Sequence, residues 1–151
     1  MAKLSVGDRA PDFTLLTETG DTVSLQATIE RGPVVLIFYP MDNTPGCTAQ
    51  LCAVRDDSLD YASAGVLVYG VNGADARSHQ QFVAKHSLTA PLLVDKSLRT
   101  AADYDAVLGV GPLQMIRRTV VGIARDGTIA FYKRGTPSTK DILSALSPAP
   151  T

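Results

Sequence analysis

The chain has 151 residues, with 14 Lys and Arg against 15 Asp and Glu, for a net charge of −1. That size suits one domain, and the balanced charge argues against nucleic acid or an anionic membrane as its main partner, since no basic excess is there to release counterions. Hydrophobic residues make up 45% and charged residues 19%, which excludes the disordered class, while two cysteines are too few for a disulfide scaffold.

Met1–Asp8 has neither the apolar stretch nor the cleavage pattern of a signal peptide. The longest apolar run, Val34–Tyr39, is too short to cross a bilayer. The expectation is a soluble, cytoplasmic protein with reduced thiols. Phe13–Leu16 and Thr22–Leu25, separated by the turn formers Glu18-Thr19-Gly20-Asp21, predict an N-terminal β-hairpin. Pro33–Tyr39 is continuous and rich in β-branched residues, as in a strand covered on both faces. Cys47–Ala64, free of Pro and Gly, predicts a helix, and Val66–Val71 a second buried strand. Ala76–His86 reads as a helix capped by Asp75, and Leu92–Val94 as a third, shorter strand. After a short helix, Thr119–Ala124 and Thr128–Lys133 flank Asp126-Gly127, a strong hairpin signal. Ser138–Leu146 closes the chain as a helix with Ser138 or Thr139 as cap. Residues 1–147 are then one domain, and residues 148–151 read as a disordered tail.

Strands alternating with helices imply a central sheet with helices on both faces and right-handed parallel crossovers. The closing hairpin is necessarily antiparallel, so the sheet is mixed. The fold class is an α/β sandwich of thioredoxin-like type, which by itself implies no activity.

Chemistry concentrates in one turn, Pro40-Met41-Asp42-Asn43-Thr44-Pro45-Gly46-Cys47-Thr48. Thr44 suits an N-cap and Pro45 the first helical position, which puts Cys47 in the first turn. There the free amides and the positive end of the helix dipole favour a thiolate. Cys52 lies five residues further on. In a regular helix that places the two Cα atoms about 8.7 Å apart. A disulfide needs roughly 4.4–6.8 Å, so the two sulfurs either never pair or pair only after the helix unwinds. A plain structural role is open to both: Cys47 as a small core residue, Cys52 on an apolar stripe with Leu51, Val54 and Leu59.

Pro40, Thr44 and Cys47 stand in a Pro-x-x-x-Thr-x-x-Cys pattern that resembles the peroxiredoxins. Val34–Pro40 followed by Thr44-Pro45-Gly46-Cys47-Thr48 is similar to the peroxiredoxin Q, or bacterioferritin comigratory protein, subfamily, as is the opening Gly7–Phe13. The resemblance implies a peroxidatic thiolate at Cys47 that attacks a hydroperoxide and becomes a sulfenic acid. It places Cys52 where many members carry the resolving cysteine of an intramolecular disulfide. It also implies Thr44 beside the thiolate, Pro40 covering it, and an arginine entering a late strand. Counting back from Asp126-Gly127 gives Arg118, with Arg117 on the opposite strand face. Gln50 replaces a common Glu, and Val121–Arg125 departs from the usual run. The implied substrates are hydrogen peroxide and small organic hydroperoxides, and the implied reductant is thioredoxin or a similar dithiol. An intramolecular disulfide makes a monomer sufficient, with a dimer open.

Other readings fit less well. His79 and His86, seven apart, share a helix face, but no close Cys or His pair marks a zinc site, and both histidines are expected to be solvated. A disulfide reductase would use Cys-x-x-Cys, whereas four residues intervene here. A non-enzymatic redox sensor uses the same residues and differs only in lacking turnover. No motif calls for an organic cofactor or a metal.

Overall fold

In the computed structural model, which describes residues 4–146, the N-terminal hairpin pairs β1 (Thr14–Thr17) with β2 (Thr22–Ser24). Leu25, expected in the second strand, instead starts helix α1 (Leu25–Ile29), because the Ser24 side chain accepts the Ala27 N–H at 3.3 Å and caps it. β3 (Val34–Phe38) is buried at every position. The single helix expected over Cys47–Ala64 begins earlier and is divided, into α2 (Pro45–Asp56) and α3 (Ser58–Ser63). The break falls in Asp56-Asp57-Ser58, side chains that compete with the helix backbone for hydrogen bonds. Asp57 accepts the Thr139 hydroxyl at 2.6 Å, which fixes the bend against the C-terminal helix.

β4 (Leu67–Asn72) and α4 (Ala76–His86) follow, and Asp75 caps α4 by accepting the Ser78 N–H at 2.9 Å, as its sequence suggests. Then come β5 (Leu92–Val94) and the short helix α5 (Arg99–Asp103). Buried Asp95 accepts the N–H groups of Thr100 and Ala101 at 3.2 and 2.8 Å, and burial raises its carboxyl pKa. A small ribbon, β6 (Val107–Leu108) with β7 (Met115–Ile116), was not expected; two-residue strands carry no readable alternation. β8 (Thr119–Ile123) and β9 (Ile129–Arg134) form the closing hairpin about Asp126-Gly127, and α6 (Thr139–Leu146) ends the described chain. The expected tail, residues 148–151, lies outside the described residues.

The seven-stranded sheet has the order β2-β1-β5-β4-β3-β8-β9. β3, β4 and β5 run parallel, and the remaining pairings are antiparallel, so the sheet is mixed as expected. Alternation along β3 divides the core. Val34, Leu36 and Phe38 face a cluster with Phe13, Leu25 and Tyr104, while Val35, Ile37 and Tyr39 face one with Leu51, Phe82 and Ile142. Helices therefore cover both faces, and α2 and α4 share the second. Among the described residues, no helix is long and apolar enough to cross a membrane.

Where β4 passes behind the end of β3 there is no room for a side chain. A Cβ on Gly70 would lie 2.7 Å from Leu92 Cδ2 and 3.0 Å from the Tyr39 ring. Gly70→Ala is expected to lower stability by about 1–3 kcal/mol, the range for overpacked cores. Urea unfolding checks this, and an unchanged midpoint would mean the neighbours yield freely.

Candidate active site

The site forms where β3 stops. Tyr39 and Pro40 continue the strand direction, the loop turns through Asn43 at φ 63, and Thr44 precedes Pro45 at the start of α2. Asn tolerates this left-handed backbone better than most residues. The first helical hydrogen bond runs from the Thr48 N–H to the Thr44 carbonyl, so the amides of Gly46 and Cys47 stand ahead of the ladder at the positive end of α2. Cys47 is 1% exposed and packs with Leu51 and Val54.

The cation arrives through strand register. β8 runs antiparallel to β3 with Phe38 opposite Thr119, so the residue before Thr119 projects beyond the paired segment, level with the loop between β3 and α2. That residue is Arg118. Its Nη2 donates to Cys47 Sγ at 3.1 Å and its Nη1 to Gln50 Oε1 at 2.6 Å. Gln50, one helical turn after Cys47, is buried, and its amide donates to the Gly135 carbonyl at 3.5 Å. The guanidinium lies against Gly46, where a Cβ would be in van der Waals contact with Nη2 at 3.4 Å. Arg117 is exposed, and its N–H bonds the Ala106 carbonyl at 2.8 Å.

The other residues named from sequence take separate places. Thr44 stands at the N-cap, but its hydroxyl donates to the Met41 carbonyl at 3.2 Å rather than capping α2. Pro40 is half-buried and, with Met41, Leu98 and Met115, lines a recess of about 450 Å³. Cys52 is half-buried on α2 at the edge of the cluster holding Cys47, and both cysteines are free thiols. The structure therefore brings Cys47, Arg118 and Gln50 together and leaves Cys52 apart, on an unbroken helix.

One expectation is corrected. His79 is not solvated: it is 0% exposed, with Nδ1 at 2.7 Å from Asp42 Oδ2 and Nε2 at 3.0 Å from the Leu93 carbonyl. Phe82, three residues on, marks that face of α4 as inward, which was the readable signal. Asp42 also accepts from Tyr39 Oη at 2.6 Å, Asn72 Nδ2 at 3.1 Å and Ser78 Oγ at 2.7 Å. Burial works against its carboxylate, but the bonds from His79, Tyr39 and Ser78 outweigh it and hold the carboxyl below its ordinary range. Burial first, then Asp42, pushes the Tyr39 hydroxyl far above the usual phenol range. Among the described residues, no three His, Cys, Asp or Glu side chains gather as a metal site would require.

Comparison with known proteins agrees with the fold. The AhpC/TSA family model matches residues 6–132. Peroxiredoxin Q, chloroplastic, of Triticum aestivum is 45% identical over 102 residues, 68% of this chain and 46% of that protein. A bcp peroxiredoxin of Coxiella burnetii is 35% identical over 131 residues, 84% of this chain and 86% of that one. Peroxidoxin BcpB from Mycobacterium tuberculosis superposes with a TM-score of 0.86 at 29% identity, covering 93% of this chain and 94% of its own. The chain belongs to the AhpC/TSA family, in its peroxiredoxin Q and bacterioferritin comigratory protein branch, and has the thioredoxin-type fold of that family. It spans about half the length of the plant relatives it matches.

Two outcomes follow from this geometry. A hydrogen bond to a charged group contributes about 1.5–3 kcal/mol, so Arg118→Met should slow iodoacetamide alkylation of Cys47 at neutral pH roughly ten-fold. Arg117→Met should change it less than about two-fold, and the reverse order would mean that the β3–β8 register is off by one. Asp42, with its folded-state pKa depressed, contributes stability that is complete above its ordinary value of 3.8 and is lost as pH falls below it. The stability difference between wild type and Asp42→Asn should therefore shrink on acidification through that window, as read by urea midpoints.

Proposed function

We propose that the chain is a thiol peroxidase that reduces hydrogen peroxide and small organic hydroperoxides through Cys47. The observation that carries this reading is Arg118 Nη2 lying 3.1 Å from Cys47 Sγ in the first turn of α2. The Cys47 thiolate attacks the terminal peroxide oxygen, the O–O bond breaks, and the departing oxygen takes a proton to leave as water or an alcohol. Cys47 becomes a sulfenic acid. Negative charge moves from sulfur to the leaving oxygen during attack, and the fixed guanidinium stabilises both ends of that shift. Pro40 covers the sulfur without offering a competing N–H, and Thr44 supplies a hydroxyl at the rim, able to turn from the Met41 carbonyl to the peroxide.

Cys52 is the resolving thiol. Its sulfur attacks the sulfenic sulfur, water leaves, and a Cys47–Cys52 disulfide forms. Thioredoxin or another dithiol of the cytoplasm then reduces it. With the two Cα atoms about 8.7 Å apart in an intact helix, α2 must open locally before the bond closes. Each backbone hydrogen bond lost costs only about 0.5–1.5 kcal/mol net, because water replaces the partner. One chain suffices for the cycle.

Peroxide consumption with a thioredoxin system tests the scheme. Wild type should turn over, Cys47→Ser should not react, and Cys52→Ser should react once and then accumulate sulfenic and sulfinic Cys47. Amides of α2 should exchange slowly in the reduced protein and rapidly in the oxidised one. A Cys47→Ser variant that still turns over would end the proposal. A disulfide found only between chains would replace the intramolecular step with a dimeric one.

A further inference from the structure

The mechanism leaves one group unused, the buried polar network beneath the catalytic loop. Met41 and Asn43 are exposed, whereas the Asp42 side chain between them is 3% exposed, so Asp42 is the inward anchor of the segment joining Pro40 to Thr44. Its carboxylate receives four donors. Tyr39 comes from the end of β3 and Asn72 from the end of β4, both on Oδ1; Ser78 and His79 come from α4, both on Oδ2. Every lone-pair site of the carboxylate is filled.

His79 fixes the proton count. A carbonyl can only accept, so Nε2 carries the proton it donates to Leu93 O. Nδ1 then faces a carboxylate oxygen at 2.7 Å, and a bare lone pair there would repel it. A second proton therefore sits on the ring, making His79 an imidazolium paired with the Asp42 carboxylate. The four donors to Asp42 favour this ionised form over a shared neutral one.

We infer that the buried Asp42–His79 ion pair positions the loop Pro40–Thr44 over Cys47, and so sets the approach of the peroxide without touching it. The inference rests on the peroxidase reading. The pair bolts the loop to β4, β5 and α4 at the point where the chain must take the left-handed turn at Asn43. Both are positioning residues: neither is bonded to Cys47 or Arg118, and their effect passes through Pro40 and Thr44. Loss of one partner leaves the other charged and buried, which the loop escapes by opening.

The test separates positioning from thiolate formation, using the full chain with Cys52→Ser so that only Cys47 reacts. Introducing His79→Gln, or separately Asp42→Asn, should lower the rate of peroxide attack at least ten-fold. Iodoacetamide alkylation, which needs the thiolate but not the rim, should stay within two-fold. Equal losses in both reactions, or no loss in either, would overturn the inference. If both variants fail to fold, nitrogen-15 NMR of the wild type decides: both His79 ring nitrogens should carry protons at neutral pH, and a bare Nδ1 would overturn it. A wild type inert to peroxide defeats the peroxidase reading and the positioning role together. A reactive wild type with indifferent variants defeats the positioning role alone.

Discussion

The antiparallel register between β3 and β8 is the constraint on which the site depends. With Phe38 opposite Thr119, Arg118 emerges at the level where β3 gives way to α2, and its guanidinium reaches both Cys47 and Gln50. A slip of one residue would turn every side chain of β8 to the other face and bring Arg117 to that level instead. Burial prevents the slip: all five residues of β3 and all five of β8 are buried, and their alternation is matched to two different core clusters. The next arginine along the sheet edge, Arg134, is not a rival, because its fork already binds the Asp105 carbonyl, Thr119 Oγ1 and Tyr132 Oη. The position of the cation beside Cys47 is thus fixed by apolar packing some residues away.

The proposed cycle places two opposed demands on the same helix. An intact first turn of α2 sets the amides behind Cys47 and keeps Gln50 one turn away, where it holds Arg118. Joining Cys47 to Cys52 requires that turn to come apart. α2 is suited to both, because its helical ladder begins only at Thr48 and it ends at the Asp57 bend after twelve residues, tied to α6 by the Thr139 bond. Opening its start leaves that anchored end in place. In the proposed cycle, sulfur exchange and cation placement then alternate without unfolding the sheet.

Much of this arrangement was legible in the sequence where one physical signal was strong. β3 reads as a doubly buried strand because it has no polar residue, and α4 as a helix with a defined start because Asp75 precedes a regular stripe. Pro45 and Cys47 locate the site because few turns combine a Pro at the helix start with a thiol two residues later. The misses have other causes. α1 and the β6–β7 ribbon each rest on a few short-range bonds that local pattern does not distinguish from strand, helix or loop, and the Asp57 bend is fixed by Thr139, 82 residues away. His79 failed for a further reason. Its polar neighbours Ser78 and Gln80 suggest a solvated position, and only Phe82, three residues on, marks the face as inward; its partners come from the loop before α2 and from β5. Gln50 was visible only as a departure from a common pattern, since its partner Arg118 lies 68 residues away.

The Asp42 carboxylate and the Cys47 thiol sit within a few residues of each other at the end of β3, and the structure treats them by different rules. The Asp42 carboxylate has all its acceptor sites filled by donors from three elements, so no partner can leave without stranding a buried charge. Cys47 Sγ has one strong donor, Arg118, on a half-buried side chain beside the bare backbone of Gly46. On the peroxidase reading, an incoming peroxide oxygen shares the rigid fork of donors that Gln50 holds in place beside the sulfur. A filled acceptor shell makes a group rigid, and an unfilled one leaves it reactive. Anchoring the loop at Asp42, five residues before Cys47, lets it hold its shape independently of what happens at the sulfur.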